Sequence, residues 1–226
     1  MFYMYAVVEG LPTSWSPPPA VTRTASVARH PCGSLTVLGS TLESVPAATP
    51  KTLALHHDVV ASALDALGVL PFRYGTAVPD GERDAWLAAA RVALERAVAQ
   101  VRGCVEMSVK LLRLDSGGES STAPIDTELR ALADQLVSRA GVEQWRYRPA
   151  GSGGNVVASV AFLLPRAQLA EFLARIAPIA SRAVGVAVVP TGPWPAYSFA
   201  PAFDRPPLAV ALPPAPPPAS ERRAAG

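Results

Sequence analysis

Residues Cys104 to Leu114 read CVEMSVKLLRL, and this stretch decides how the second half of the chain folds. Its apolar and polar residues alternate: Val105, Met107, Val109 and Leu111 against Glu106, Ser108 and Lys110. A period of two is typical of a strand with one buried face and one face open to solvent. We therefore expect this strand to lie in a sheet that is covered on one side.

The residues after this strand predict an alternation of helices and strands. The predicted elements are a helix from about Pro124 to Ala140, a strand from Val142 to Arg148, a turn from Pro149 to Gly154, a strand from Val156 to Leu164, a helix opened by Pro165, and a strand from Val184 to Val189. The strand from Val156 is apolar enough to lie centrally. The order β-α-β-β-α-β predicts a ferredoxin-like domain over residues 103–200, an antiparallel sheet with both helices on one face.

The residues before this strand predict another sheet with its own helices. Strands are predicted at Tyr3 to Val8, near Ala25 to Arg29 and at Ser34 to Leu38, with a turn at His30 to Gly33, and Val69 to Phe72 is an apolar run that its proline confines to a sheet edge or a strand end. One helix is predicted from Pro50 to Leu67, capped by Thr49, with Leu53, Val60, Ala63, Leu64 and Leu67 buried. Another is predicted from Gly81 to Val101, capped by Asp80, with Leu87, Ala90, Leu94, Ala97, Val98 and Val101 buried.

The whole chain is therefore predicted to be an α+β protein of two small α/β domains. The boundaries are an N-terminal domain over residues 1–102, the ferredoxin-like domain over 103–200, and a flexible tail over 201–226. The tail is predicted from its Pro/Ala repeats, which cannot build a packed core.

Charge and hydropathy exclude several classes of partner. The chain has 226 residues, with 20 Lys and Arg against 18 Asp and Glu, so it lacks the basic field that binds nucleic acid. The longest uncharged apolar run, Val156 to Leu164, is about half of the ~18 residues that cross a membrane. Two cysteines, Cys32 and Cys104, do not make a disulfide framework. We expect a soluble cytosolic protein that binds neither nucleic acid nor a membrane.

No catalytic or metal-binding pattern stands out in the sequence. His56 and His57 are adjacent on a predicted helix, so their side chains point about 100° apart and do not chelate one metal ion. A hydrogen-bonded structural role is the interpretation that burial statistics favour for His56. The glycines of Gly151 to Gly154 lie in a turn between strands and lack the spacing of a phosphate-binding loop. We expect no cofactor, no metal and no enzymatic activity.

Two segments combine charged or aromatic side chains with rigid backbone in a way that packing alone does not require. In Val69 to Thr76, Arg73 stands between Phe72 and Tyr74, where a guanidinium can stack, clamp a carboxylate or form an intrachain ion pair. In Thr191 to Phe199, two prolines stiffen a stretch that carries three aromatic residues: Trp194, Tyr197 and Phe199. These aromatics either wedge between the two domains or stand out as binding anchors. The candidate partner-binding residues are Phe72, Arg73, Tyr74, Trp194, Tyr197 and Phe199.

These segments, in their order and spacing, resemble the GvpL/GvpF family of gas vesicle proteins. The resemblance rests on YAVV at residues 5–8, LPFRYGT at 70–76, VEMSVK at 105–110 and GPWPAYSF at 192–199, and it covers about residues 3–200. It implies a non-enzymatic protein needed to build gas vesicles, with a ferredoxin-like second domain. It further implies that the protein binds the hydrophobic shell subunit and other gas vesicle accessory proteins.

Two other hypotheses remain open from the residues alone. One is a small-molecule-sensing regulatory protein built on the ferredoxin-like domain, and the other is an enzyme that uses His56 or His57. Capture of shell protein by the purified chain would separate an assembly factor from both.

Overall fold

The computed structural model describes residues 1–114, 126–149, 155–180 and 185–203. They form two antiparallel sheets, one in each half of the chain, and each sheet is covered by two helices. The described part of the chain contains no helix with the length and hydrophobicity needed to cross a membrane.

The first half of the chain builds a sheet between two helices. Its strands are β1 (Phe2–Glu9), β2 (Ala28–Cys32), β3 (Leu35–Thr41), β4 (Gly68–Pro71) and β5 (Ala77–Val78), and its helices are α1 (Pro50–Ser62) and α2 (Arg83–Val101). The strand order is β2-β3-β1-β4, and β5 pairs with the start of β1. All of these pairings are antiparallel.

β1 is buried on both faces, which explains its unbroken run of large apolar residues. Phe2 and Met4 enter a core that includes α2, whereas Tyr3 and Tyr5 enter a separate core that includes α1. Adjacent residues of a strand point to opposite faces, so the two helices lie on opposite sides of this sheet.

α1 begins as predicted but ends earlier. The Thr49 side chain accepts from the backbone N–H of Thr52, whose hydroxyl in turn accepts from the Thr49 N–H, so the cap is confirmed. The helix stops at Ser62 and not at Leu67, and Leu53 and Leu67 are exposed although the pattern predicted them buried. The reason is pairing with the sheet: the N–H of Leu67 donates to the carbonyl of Glu9 (2.9 Å) as the chain turns into β4.

α2 keeps its predicted apolar stripe but not its predicted cap. All six residues of the stripe are buried. The chain enters the helix through a 3₁₀ turn at Asp80–Glu82, and the Asp80 carboxylate accepts from the hydroxyl of Thr41 (3.4 Å) instead of capping the helix. The preceding hairpin also differs, because β2 continues to Cys32 and only Gly33 and Ser34 form its turn. Pro31 is tolerated there because β2 is an edge strand.

The second half has the predicted ferredoxin-like architecture. Its elements are β6 (Cys104–Arg113), α3 (Asp126–Ala140), β7 (Gln144–Pro149), β8 (Val156–Pro165), α4 (Leu169–Ala180) and β9 (Val186–Trp194), with a 3₁₀ turn at Arg166–Gln168 before α4. The strand order is β7-β8-β6-β9, all antiparallel, so β8 is central as predicted. One face of the sheet, with Met107, Val109 and Phe162, packs against Leu136 of α3 and Phe172 of α4.

The last strand is longer than the sequence predicted. β9 runs to Trp194 and not to Val189, so it includes Pro190 and Pro193. A proline removes one ladder donor, and β9 tolerates two because it is an edge strand. The residues of the predicted turn after Pro149, and those of the predicted tail from residue 204 onward, lie outside the described residues.

Candidate partner-binding site

The two halves of the chain share one core. Leu163 of β8 and Ala196, which follows β9, are buried among the residues of the α2 core. At the same boundary Arg166 donates to the carbonyl of Leu64 and lies 3.7 Å from the carboxylate of Asp65. We call the region where the second half packs on the first the junction, and both segments that the sequence singled out reach it.

A buried hydrogen-bond network holds the segment Val69 to Thr76 to β1 and α1. The His56 ring lies between the Tyr3 hydroxyl, 2.7 Å from Nδ1, and the Phe72 carbonyl, 3.1 Å from Nε2. Because a carbonyl oxygen can only accept, Nε2 carries the proton and Nδ1 accepts from Tyr3. The Tyr3 oxygen in turn accepts from the N–H of Gly75 (3.4 Å). His56 thus fixes the backbone of the segment.

Burial also sets the charge of this network. It lowers the pKa of His56 from 6.5 to about 4, against the opposing effect of the hydrogen bond to Phe72, and it raises the pKa of the Tyr3 hydroxyl. Both side chains are therefore neutral near pH 7. An enclosed, neutral imidazole with both nitrogens engaged has no free atom for a metal ion or a substrate.

The three candidate residues in this segment have different environments. Phe72 is 2% exposed and packs edge-on against Phe203. It therefore cannot contact a partner directly and can only support the residues that do. Tyr74 is half-buried, and its hydroxyl donates to carbonyls of the loop before α1. Arg73 is exposed and forms no ion pair with any described residue, so the intrachain pair that the sequence allowed has no counterpart in the described part of the chain.

The end of β9 and the residues that follow it place aromatic side chains along the junction. The Trp194 ring is edge-on to His57 with centroids 5.3 Å apart, and its Nε1 donates to the Thr191 hydroxyl (3.3 Å). Tyr197 also faces His57, at 6.0 Å, and packs into the α1 core. Trp194 remains 37% exposed, whereas Tyr197 is half-buried. Tyr197 therefore fills the junction, and Trp194 stands at its rim.

Phe199 extends this contact toward α2. It packs, half-buried, against the α2 core, and the Arg146 guanidinium lies 5.3 Å from its ring centroid. The six candidate residues are thus not one surface. Phe72, Tyr197 and Phe199 contribute to packing, and Arg73 and Trp194 are the members with substantial exposure.

Glu106 is the junction residue that the sequence pattern missed. Alternation placed it on the solvent side of β6, yet it is 6% exposed, and its carboxylate accepts from both the N–H (2.7 Å) and the hydroxyl (2.8 Å) of Ser198. Burial raises its pKa, although the bonds from Ser198 act in the opposite direction. The available signal was Leu163 on the neighbouring strand: an apolar residue on the supposedly polar face indicates that this end of the face is covered.

The described residues contain no group of His, Cys, Asp and Glu side chains arranged to hold a metal ion. Cys32 and Cys104 are both free thiols whose pKa is raised by burial, so neither is an activated nucleophile. The hydroxyl of Tyr197 is buried without a hydrogen-bond partner in the described structure, and burial raises its pKa. The contacts that the structure shows at the junction are packing contacts and hydrogen bonds.

Two solved structures with a similar fold are those of gas vesicle proteins. The crystal structure of the gas vesicle protein GvpF from Anabaena sp. PCC7120 matches with a TM-score of 0.72 at 16% identity, covering 88% of this chain and 95% of that one. The crystal structure of GvpF from Microcystis aeruginosa matches with a TM-score of 0.68 at 17% identity, covering 88% and 98%. At such identities the likeness shows a common fold. A search of curated protein sequences finds no match.

The family comparison extends the likeness from fold to sequence. The model of the family described as "Gas vesicle synthesis protein GvpL/GvpF" matches residues 1–150 and 113–201, which together include both halves of the chain and the junction. The chain therefore belongs to the GvpL/GvpF family of gas vesicle synthesis proteins.

Proposed function

We propose that this protein is a non-enzymatic assembly factor or minor structural component of gas vesicles, and that it binds the hydrophobic shell subunit and accessory proteins. Family membership supplies the gas vesicle role. The observation that carries the binding proposal is Trp194, a large aromatic side chain left 37% exposed at the rim of a junction whose other aromatics are more deeply packed.

The physical argument starts from the shell. A subunit that presents an apolar face to gas would aggregate in water before assembly, so a partner that covers that face, or a neighbouring one, keeps it usable. Exposed Trp side chains are among the strongest anchors at such interfaces. Leu53, also exposed, lies one helical turn from His57 on α1, which places a second apolar side chain on the same side of the helix. Arg73 supplies a cation on the loop after β4, available to a carboxylate of the partner.

The test is capture of shell subunit by the full chain after co-expression. We expect Trp194→Ala to reduce capture at least tenfold while the melting temperature falls by less than about 3 °C, which corresponds to under ~1 kcal/mol for a chain of this size. The matched control is Val92→Ala on α2, which removes another exposed apolar side chain, 50% accessible, and should leave capture unchanged.

The outcomes separate the possible errors. A large fall in melting temperature for Trp194→Ala would make the residue a wedge that stabilises the junction. Unchanged capture would show that Trp194 is not part of the surface that binds the partner. If the wild-type chain neither captures shell subunit nor sediments with vesicles, the proposed function itself is wrong.

One observation favours the alternative of a small-molecule-sensing protein. A groove of ≈ 580 Å³ lies on the helical side of the second half and is lined by α3 residues such as Gln135 and Ser138, together with Ile179 of α4. Such a volume is within the range of ligand sites. A sensing role predicts that a small molecule raises the melting temperature of the isolated protein, whereas an assembly factor is stabilised by its protein partners.

A further inference from the structure

The face of the second sheet that points away from its helices is only partly covered by the junction. The strand pairings place two further rows of residues on this face, and the first of them is partly covered, since Ala161 is 5% exposed and Arg146 lies over Phe199. One row is Arg146, Ala161, Ser108 and Thr191, and the next is Arg148, Ser159, Lys110 and Val189. Because side chains alternate along a strand, all eight belong to the same face as Glu106.

These two rows carry only positive charge. Lys110, Arg146 and Arg148 are exposed, and none of them forms an ion pair with a described residue. The described carboxylate nearest in register is Glu106, which is buried and engaged by Ser198. The charge of Arg148 also acts on it and opposes the rise in its pKa, although the two groups form no ion pair. We call the three cations and the small residues between them (Ser108, Ser159 and Ala161) the basic strip.

The spacing of the strip suits an extended chain. Neighbouring strands lie about 4.8 Å apart, so Arg148 and Lys110, which flank Ser159 in one row, have backbones about 10 Å apart. The residues between them are small, so the long cationic side chains flank a low floor with hydroxyl groups. Carboxylates spaced along an extended peptide can therefore meet a cation and a hydroxyl at successive positions.

We propose that the basic strip binds an acidic segment of a protein partner in gas vesicle assembly, beside the apolar contact at Trp194; this rests on the function proposed above. Trp194 ends the row that adjoins the strip, since it pairs with Glu106, so an aromatic anchor and the basic strip share one surface. Arg and Trp together are the composition of interface hot spots.

The same surface is poorly suited to nucleic acid. Sheets that read single-stranded RNA stack bases on exposed aromatic side chains of their central strands. In the strip those positions of β6 and β8 are Ser108, Ser159 and Ala161. The aromatic ring over which the Arg146 guanidinium lies is Phe199, which packs half-buried against the α2 core.

The test uses the full chain and a fluorescein-labelled decaglutamate peptide, with binding followed by anisotropy at about 50 mM salt. The strip variant is Lys110→Glu with Arg148→Glu. The control is Arg91→Glu with Arg96→Glu, two exposed positions on α2 that change the formal net charge by the same amount. We expect at least a tenfold loss of affinity in the strip variant, less than twofold in the control, and weaker wild-type binding as salt rises.

Each other outcome overturns the proposal. Equal losses in both double variants would mean that the peptide responds to net charge alone. A uridine decamer that binds as tightly as the peptide, and is lost in the same variant, would make the strip a general anion site. Tenfold tighter peptide binding after removal of residues 204–226 would identify the chain's own tail as the occupant.

The peptide assay requires no gas vesicle component, so its result is independent of shell capture. If the peptide binds only at the strip but the chain never sediments with vesicles, the proposed function is wrong. If the chain captures shell subunit normally but does not bind the peptide, the proposal for the strip is wrong.

Discussion

His56 and Glu106 are titratable side chains that folding has withdrawn from water, and they oppose each other in their effect on stability. His56 is 3% exposed and Glu106 is 6% exposed. Burial disfavours the charged form of each, so it lowers the pKa of the histidine and raises that of the carboxyl group. The two groups therefore give the stability of this protein opposite dependences on pH.

For His56 we expect stability to fall with acidification. Its pKa is about 4 in the folded chain against 6.5 as the unperturbed value, so between these pH values the unfolded chain binds more protons. The stabilisation is complete above pH 6.5 and is lost as the pH falls toward 4, by about 3 kcal/mol in total. Chemical denaturation of wild type and His56→Gln across this range measures the loss as the difference between the two slopes.

The control is His57→Gln, which removes the neighbouring imidazole but leaves the bonds to Tyr3 and Phe72 in place. That variant should retain most of the wild-type loss of stability between pH 6.5 and 4, because the charge of His57 is the smallest of the causes that shift the pKa of His56. If His56→Gln retains it as well, the imidazole is not the group whose protonation destabilises the fold.

Glu106 should behave in the opposite sense. Its pKa is raised, so its contribution to stability is greatest below the unfolded value and is lost as the pH rises through the folded one. A glutamine at this position can accept from the Ser198 N–H and donate to its hydroxyl without a buried charge. We therefore expect Glu106→Gln to match or exceed wild-type stability at pH 8 in thermal melts.

Glu106→Ala serves as the comparison, because it leaves the Ser198 N–H without its partner. The expected loss is about 1–3 kcal/mol, the usual penalty for an unsatisfied buried donor. A glutamine variant as unstable as the alanine variant would show that the charge itself stabilises the junction.

At the scale of elements, the sequence predicts a helix or strand correctly where its hydrophobic pattern matches the face that the fold buries. The stripe of α2 has a helical period and faces one core, so its buried residues follow from the pattern alone. The order of helices and strands in the second half follows similarly. α1 ends early because the residues after Ser62 are drawn into pairing with β1, a tertiary contact that a helical period does not reveal.

β9 requires glycine at position 192, because of its backbone conformation and because β6 lies close to it. At Gly192 φ is +130°, and a Cβ there would lie 2.7 Å from Sδ of Met107 and 2.9 Å from the carbonyl oxygen of Glu106. Gly192→Ala therefore adds both backbone strain and a collision with the neighbouring strand. We expect a loss of about 2–4 kcal/mol in urea unfolding, at the upper end of single-residue effects.

Gly185, just before β9, separates the two causes. Its φ is +70°, but a Cβ there meets no atom within 4 Å. Gly185→Ala should therefore cost only the strain, about 1–2 kcal/mol. Equal losses for the two variants would mean that the close approach of β9 to β6 contributes nothing.

At the scale of the whole molecule, one strand belongs to both halves. The residues of β8 alternate between cores: Leu163 is buried with α2 of the first half, whereas Leu164 is buried with the helices of the second half. The sequence could predict that β8 is central, since its run is apolar throughout, but not that the first half of the chain covers its outer face. That face is covered by elements distant in sequence, and a linear pattern does not identify which ones.

Leu163 and Leu164 are adjacent but lie in different cores, so variants of the two residues can test whether the halves of the chain unfold together. Leu163→Ala opens a cavity in the shared core and should destabilise the protein by about 2–4 kcal/mol. We expect the wild type to melt in a single calorimetric transition, and because the lost contacts are those between the halves, we expect Leu163→Ala to broaden or split it. Leu164→Ala removes the same side-chain atoms one residue later, inside the second half alone, so it should lower the transition temperature without splitting it. If the wild type already shows two transitions, or if both variants melt in one, the shared core is not what couples the two halves.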